Sequence, residues 1–227
     1  TANGTFGAGT GGTTGNAWVN TPEGWCVVFS DSGTGVTTSK ALAIGNASGS
    51  GAPSGNVFSL IGRIRLAALS STQAIYAGGP GSVSFRVAAD NKLELLNAGY
   101  VSIGKSSSTL SADVDYDVGV SYDGTVASFF INGVAAGTAS SAQTFSHTTQ
   151  YWLGSYAGTA ELVANGFRLY RFAVFDRPMP NEFFRQHTGS DFWALVEPRR
   201  ILVPVSAGGS GSHDATGAMS AQSATVS

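Results

Sequence analysis

Four aspartates, Asp113, Asp115, Asp117 and Asp123, form the densest carboxylate group in this sequence and are its first candidates for chemistry. In an extended segment alternate side chains share a face, so Asp113, Asp115 and Asp117 would present three carboxylates together. Oxygens of this kind suit calcium when they converge at a loop. The run DVDYD lacks the glycine turn of a helical calcium loop, and a solvated strand face accounts for it equally well. The expected cofactor is therefore none, with calcium the open alternative. The five glutamates, Glu23, Glu94, Glu161, Glu182 and Glu197, are scattered. Glycoside hydrolysis needs two carboxylates across a cleft, and no glutamate shares a strand with an aspartate in the alternating pattern sandwich glycosidases use. His147 lies in a Thr/Ser-rich stretch, His187 closes a helical pattern and His213 sits in a low-complexity tail. No nucleophilic triad emerges, and the expected class is non-enzymatic.

Two other motifs offer chemistry by spelling alone. GYVSIGKS (99–106) matches the phosphate-binding P-loop, and RFAVFD (171–176) could pose as its acidic partner. A P-loop needs a helix directly after it, so that backbone amides face the phosphates. Here SSSTLSADVDYD follows, and Tyr100, Val101 and Ile103 read as strand. The single cysteine, Cys26, excludes an intrachain disulfide. It lies in the apolar run WCVVFS without a local cation to activate it, and reads as a small buried hydrophobe.

Aromatic residues divide into two sets. Trp25, Phe58, Phe85, Phe129, Phe130, Trp152, Phe167 and Tyr170 fall on strand patterns and are expected in the core. Trp18, Tyr76, Tyr100 and Tyr156 lie near turns. An aromatic face with nearby polar groups can stack on a sugar ring, so Trp18, Tyr100 and Tyr156 are the candidate carbohydrate contacts; packing against loops is the other reading.

These residues need elements to hold them, and the sequence marks those elements with turns. In YDGTVASFFINGVAAG (122–137), Asp123-Gly124 and Asn132-Gly133 flank the apolar run Val126 to Ile131. Both dipeptides supply the positive φ angles of two-residue type I′ turns, which predicts a three-strand meander. Further strands are expected at 25–30, 57–66, 73–77, 83–88, 93–97, 101–104, 117–122, 134–138, 151–154 and 166–176. Gly-rich punctuation between many short strands predicts an all-β, two-sheet antiparallel sandwich. One short helix is expected at 180–187, capped by Asn181.

The chain divides into a Gly/Thr-rich N-terminal arm (1–21), a sandwich (22–190), an extended apolar arm (191–206) broken by Pro198 and Pro204, and a low-complexity tail (207–227). Only 11% of the 227 residues are charged, against roughly 25% in ordinary domains, a profile common in proteins that live inside larger assemblies. Net charge is −2, and Arg199-Arg200 is the nearest thing to a basic cluster, so nucleic acid is not an expected partner. No run approaches the ~20 apolar residues of a membrane span, and no signal peptide opens the chain. Thr1 would fit removal of an initiator Met and synthesis and folding in the cytosol.

The segments 116–140, YWLGSYAG (151–158) and NGFRLYRFAVFDRPMPNEFFRQH (165–187) together resemble the laminin-G-like/concanavalin A-like lectin superfamily. The order of a "YDGt…NG" hairpin, an "lG" strand and a closing strand with short helix carries the resemblance over 23–190. It implies a jelly-roll sandwich, and it specifies fold more than function. SDFWALVEPRRILVPVSAGG (190–209) is similar to the ending of lectin-like virion proteins of tailed bacteriophages. That second resemblance implies a structural protein decorating the capsid or tail, localised to the virion. Its partners would be other virion subunits and further copies of itself, with host surface glycan as a possible ligand. Phe192, Trp193, Leu195, Arg199, Arg200 and Ile201 are the residues expected to carry assembly.

Overall fold

The structure, a computed structural model, describes residues 17–22, 24–29, 42–44, 55–69, 71–78, 82–97, 99–145, 151–156 and 161–188. Thirteen strands and one helix lie within them: β1 (Ala17–Thr21), β2 (Gly24–Phe29), β3 (Leu42–Ile44), β4 (Phe58–Arg65), β5 (Gln73–Gly78), β6 (Ser84–Val87), β7 (Lys92–Leu96), β8 (Ser102–Thr109), β9 (Asp115–Tyr122), β10 (Val126–Ile131), β11 (Val134–Ser140), β12 (Tyr151–Leu153), β13 (Phe167–Phe175) and α1 (Asn181–Gln186). One sheet has seven strands in the order β1-β2-β13-β4-β9-β10-β11; the other has six, β3-β12-β5-β6-β7-β8. All pairings are antiparallel. The result is the predicted two-sheet jelly-roll sandwich.

Strand alternation decides which residues fill the space between the sheets. Leu60 and Ile64 of β4, Val118 and Val120 of β9 and Phe129 of β10 meet Phe85 of β6 and Leu93 and Leu95 of β7 in one buried core. Tyr76 stacks between Tyr151, at 4.7 Å, and Phe172, at 5.1 Å. It is fully buried, so this tyrosine is a core residue and not the rim aromatic that its neighbouring turn suggested. Trp25 departs in the other direction, being 62% exposed. It pairs with Asn20 one residue from the turn at Thr21–Gly24, at the rim of the sandwich.

A second, separate cluster forms on the outer face of the seven-stranded sheet. Phe184 of α1 stacks on Phe130 with ring centres 3.9 Å apart, over Ile61. Gly119 makes this approach possible, because a Cβ there would lie 2.6 Å from the Phe184 ring. The linker into α1 is pinned by two buried serines: Ser59 Oγ accepts from the Met179 amide at 2.8 Å, and Ser121 Oγ donates to the Met179 carbonyl at 3.0 Å. Pro180, not Asn181, occupies the position before the first helical residue, and no side chain caps the helix.

The two hairpin turns differ. Asn132 (φ 50°) and Gly133 (φ 74°) both adopt positive φ, as a type I′ turn requires. At the other end only Gly124 (φ 98°) does so. The Asp123 amide bonds to the Val126 carbonyl, so Gly124 and Thr125 lie between the bonded residues and only the first of them has positive φ. The Asp123 side chain explains the correction: its Oδ1 accepts from the Thr125 and Val126 amides and the Thr125 hydroxyl, at 2.7–2.9 Å. Those bonds hold the Asp123 carboxyl below its usual pKa.

Asp123→Ala should therefore lower stability at neutral pH by less than about 1 kcal/mol, because an exposed carboxylate competes with water for the same bonds. A folded-state pKa below the unfolded one gives stability that is present above the unfolded value and lost as pH falls through the folded value. Urea unfolding of variant and wild type should thus converge as pH drops through the carboxylate range. A constant gap would disprove the assignment.

Three sequence expectations shift in extent. Ala17–Thr21, within the expected N-terminal arm, forms the edge strand β1. Leu42–Ile44 adds the short edge strand β3. β8 runs to Thr109 and so continues through the P-loop look-alike as strand. The arm at 191–206, with Phe192, Trp193, Leu195, Arg199, Arg200 and Ile201, and the tail at 207–227 lie outside the described residues. No helix among the described residues is long and apolar enough to cross a membrane.

Candidate functional site

On β6, Phe85 and Val87 point into the core, which turns Arg86 to the outer face of the six-stranded sheet. Register then lines up a row across four strands: Ala74 opposite Arg86, Arg86 opposite Glu94, and Glu94 opposite Lys105. Arg86 Nε donates to Glu94 Oε2 at 2.8 Å. A second carboxylate comes from outside the row. Glu161 follows β12, adopts φ 47°, and is tied to β5 by the Ala74 amide donating to its carbonyl at 2.8 Å. Its side chain accepts from Arg86 Nη1. One guanidinium thus holds two carboxylates, and Glu94 is only 3% exposed.

Two tyrosines stand over this ion cluster. Asn97 shapes the β7–β8 turn by accepting the Gly99 and Val101 amides on Oδ1, both at 2.9 Å, and Tyr100 takes φ 66° between them. That conformation places its ring 5.5 Å from the Arg86 guanidinium, within cation–π range. Tyr156 meets Tyr100 edge to face, with ring centres 4.2 Å apart. Tyr100 is still 36% exposed, so the pair presents aromatic surface to solvent. Burial raises the Glu161 pKa against the opposing pull of Arg86. Burial, then the charge and hydrogen bond of Glu161, pushes the Tyr100 hydroxyl up. Glu161 Oε2 and Ser84 Oγ are buried without hydrogen-bond partners. Lys105 closes the row by bonding Asp90 at 2.9 Å.

An aromatic pair over fixed charges can stack a sugar ring. Of the three aromatic candidates, the fold brings Tyr100 and Tyr156 together. Trp18 sits on β1 opposite Val27, in the other sheet. Arg86, Glu94 and Glu161 were missed in the sequence. The available signal was a charge-complementary hairpin, Arg86 and Glu94 at outward positions either side of the AADN turn.

The three aspartates do not converge on one point. Asp113 precedes β9 in a turn, at φ 58°, so only Asp115 and Asp117 share the predicted face. Asp117 is buried, and its two oxygens accept from Arg63 at 2.9 Å and Arg171 at 2.7 Å. Asp115 lies 3.5 Å from Arg65. Guanidinium groups already occupy the positions a cation would take. Among the described residues no group of three or more His, Cys, Asp or Glu is placed to hold a metal.

A lectin-like sandwich with a tyrosine-over-charge platform on one outer face is the class this architecture defines. The chain belongs to the concanavalin A-like lectin/glucanases superfamily, whose sequence model matches residues 38–182. Solved structures share the fold at low identity. Domain 4 of an extracellular arabinanase from Geobacillus stearothermophilus, in complex with arabinotriose, is 12% identical with a TM-score of 0.60, covering 83% of this chain and 87% of that one. The binding domain of Paraclostridial Mosquitocidal Protein 1 is 11% identical at TM-score 0.58, covering 82% and 46%. The carbohydrate-binding module of a Ruminococcus gnavus sialidase, bound to α2,3 sialyllactose, is 12% identical at TM-score 0.50, covering 59% and 83%. No curated protein sequence matches the chain.

Proposed function

We propose that this chain is a non-catalytic glycan-binding module, with its platform at Tyr100 and Tyr156. The observation that carries the reading is the tyrosine pair, Tyr100 exposed and Tyr156 half-buried, fixed above Arg86, Glu94 and Glu161. A sialidase carbohydrate-binding module and an arabinanase domain in complex with arabinotriose, both of the same fold, support it. The two glutamates do not favour hydrolysis. A glycosidase needs its carboxyl groups across a space that admits the sugar, and here one guanidinium bonds both.

A glycan array followed by calorimetry tests the proposal. The wild-type chain should bind at least one oligosaccharide class, and Tyr100→Ala or Tyr156→Ala should weaken that binding about tenfold, ~1.4 kcal/mol. A blank array, or affinity unchanged in the double variant, would reject the platform. Release of reducing sugar from the bound polysaccharide would reject the non-catalytic part.

We further propose a bacteriophage virion as the setting, with the sandwich displayed on capsid or tail and assembled from several copies. Sequence supports this reading: the phage-like ending at 190–209 and the 11% charged composition. Phe192, Trp193, Leu195 and Ile201 would lie against neighbouring subunits. Deleting 190–227 should abolish association with the particle, and undiminished association would refute the arm's role.

A further inference from the structure

Two open sheets leave four edge strands, here β1 and β11 in one sheet and β3 and β8 in the other. An unpaired edge is a template for another strand, and proteins usually guard it with brevity, charge, proline or bulges. β3 has only three residues. β8 carries Lys105 and pairs irregularly with β7 at two points. β11, of sequence VAAGTAS, is the longest edge without a charge or a proline.

Register shows which backbone groups this edge offers. The Ser141 amide donates to the Thr125 carbonyl at 2.7 Å, and Val126 and Ser128 stand opposite Ser140 and Thr138. Bonding alternates along an antiparallel pair, so Thr138 and Ser140 turn their N–H and C=O groups away from β10. Among the described residues nothing bonds these four groups, and both residues are exposed. β8 supports β11 from the inner side, where a Cβ on Gly137 would stand 3.1 Å from the Ser107 amide. The strand is thus held in place with its lateral edge open.

The chain carries a segment of matching character. Thr188, where the described fold ends, lies against Gly133 at the start of β11. Three residues later comes FWALVE (192–197), apolar except for its last residue, and Pro198 then stops a central strand. From Gly133 the arm would run along its own β11 only in parallel, whereas every strand pair of both sheets is antiparallel. Across a two-fold axis the Gly133 end of one copy meets the Ser140 end of the other, and each arm enters its partner's edge antiparallel. Past Val134 the edge continues into a groove of about 320 Å³ between the hairpin turn and α1, lined by Val134, Glu182 and Arg185 among others. Val134 is 68% exposed there, and Glu182, though paired with Arg185, is 49% exposed. Residues following Pro198 would arrive at this groove, and they are Arg199, Arg200 and Ile201.

We propose that β11 receives residues 192–197 of a second copy of this chain as an added antiparallel strand, with Arg199 and Arg200 reaching Glu182 and Ile201 covering Val134. Main-chain bonds at Thr138 and Ser140 supply the pairing, and the small side chains of β11 leave room for Phe192, Trp193 and Leu195. The exchange is reciprocal and closes as a two-fold dimer. It rests on the reading of 191–206 as an assembly arm and names the surface that the arm meets.

Sedimentation of the full chain over a wide concentration range tests it, and the wild type should dimerise. Thr138→Pro removes an amide that bonds nothing within the fold, and it should weaken the dimer about tenfold or more. Leu195→Pro with Val196→Pro should do the same from the arm's side. Mixed together, the edge variant and the arm variant should associate more tightly than either does alone, because each supplies what the other lacks. Amide exchange in the wild type decides the matter if a variant unfolds: Thr138 and Ser140 should become protected as concentration rises. A monomeric wild type, a dimer untouched by either variant, or a mixture no tighter than its components would each overturn the proposal. Protection of both amides at every concentration would also overturn it, by placing the arm on its own chain's edge. A monomeric wild type whose association with the particle still requires 190–227 would remove this site and leave the arm's role in the particle standing.

Discussion

Arg86→Ala should destabilise the sandwich by about 3–5 kcal/mol, the usual cost of removing one partner from a buried ion pair. The reason is what remains. Glu94 is 3% exposed and keeps only Lys105, at 3.9 Å. Glu161 loses the one cation that opposes its raised pKa. The Glu161 carboxyl would then be driven further toward protonation, so the loss should be greatest at neutral pH and shrink in acid. Adding Glu94→Gln and Glu161→Gln to Arg86→Ala should recover part of the loss by removing the uncompensated charge. Equilibrium urea unfolding at pH 7 and pH 4.5 measures both effects. An Arg86→Ala midpoint equal to wild type at pH 7 would contradict the burial of this cluster. The same variant should abolish glycan binding, since Tyr100 would lose the cation beneath it.

Gly133→Val should cost at least ~3 kcal/mol, because two penalties coincide there. The residue has φ 74°, which a β-branched side chain strongly resists. An added Cβ would also stand 2.6 Å from Thr188 Cγ2 and 3.0 Å from the Arg185 backbone. The hairpin and α1 would have to separate. Gly124→Ala is the matched comparison: its φ is also positive, yet the nearest atom to a new Cβ is 3.7 Å away. It should cost about 1 kcal/mol, the conformational part alone. Equal losses in the two variants would show that the helix contact contributes nothing.

The contrast between those glycines also marks where local sequence stops being informative. Asn132-Gly133 behaves as the dipeptide predicts, because turn chemistry is carried by the two residues themselves. Asp123-Gly124 does not, because three bonds from the Asp123 carboxylate hold that residue ahead of the turn. β1 and β3 escaped notice for a related reason: strands of five and three residues at sheet edges carry too little alternation to read. Trp25 and Tyr76 exchanged expected places because burial depends on what the opposite sheet supplies. Within the candidate site, Tyr100 and Tyr156 could be named singly from their positions near turns. Their meeting could not, nor could the sharing of Arg86 by Glu94 and Glu161, which are 67 positions apart. The bridging of Arg63 and Arg171 by Asp117 is also invisible in one dimension. Its members are dispersed through the sequence, so a search for basic runs passes over them and only strand register assembles them.

The separate packing of α1 has a mechanical consequence. The polypeptide leaves the described fold through this helix, so tension on the chain beyond Thr188 reaches α1 before any strand. What resists it is the Phe184–Phe130 stack and the Ser59 and Ser121 bonds to Met179, none of which belongs to the core between the sheets. β13, by contrast, is gripped on both sides by β2 and β4. Under load the helix peels away first and pays out slack, while both outer faces of the sandwich keep their shape.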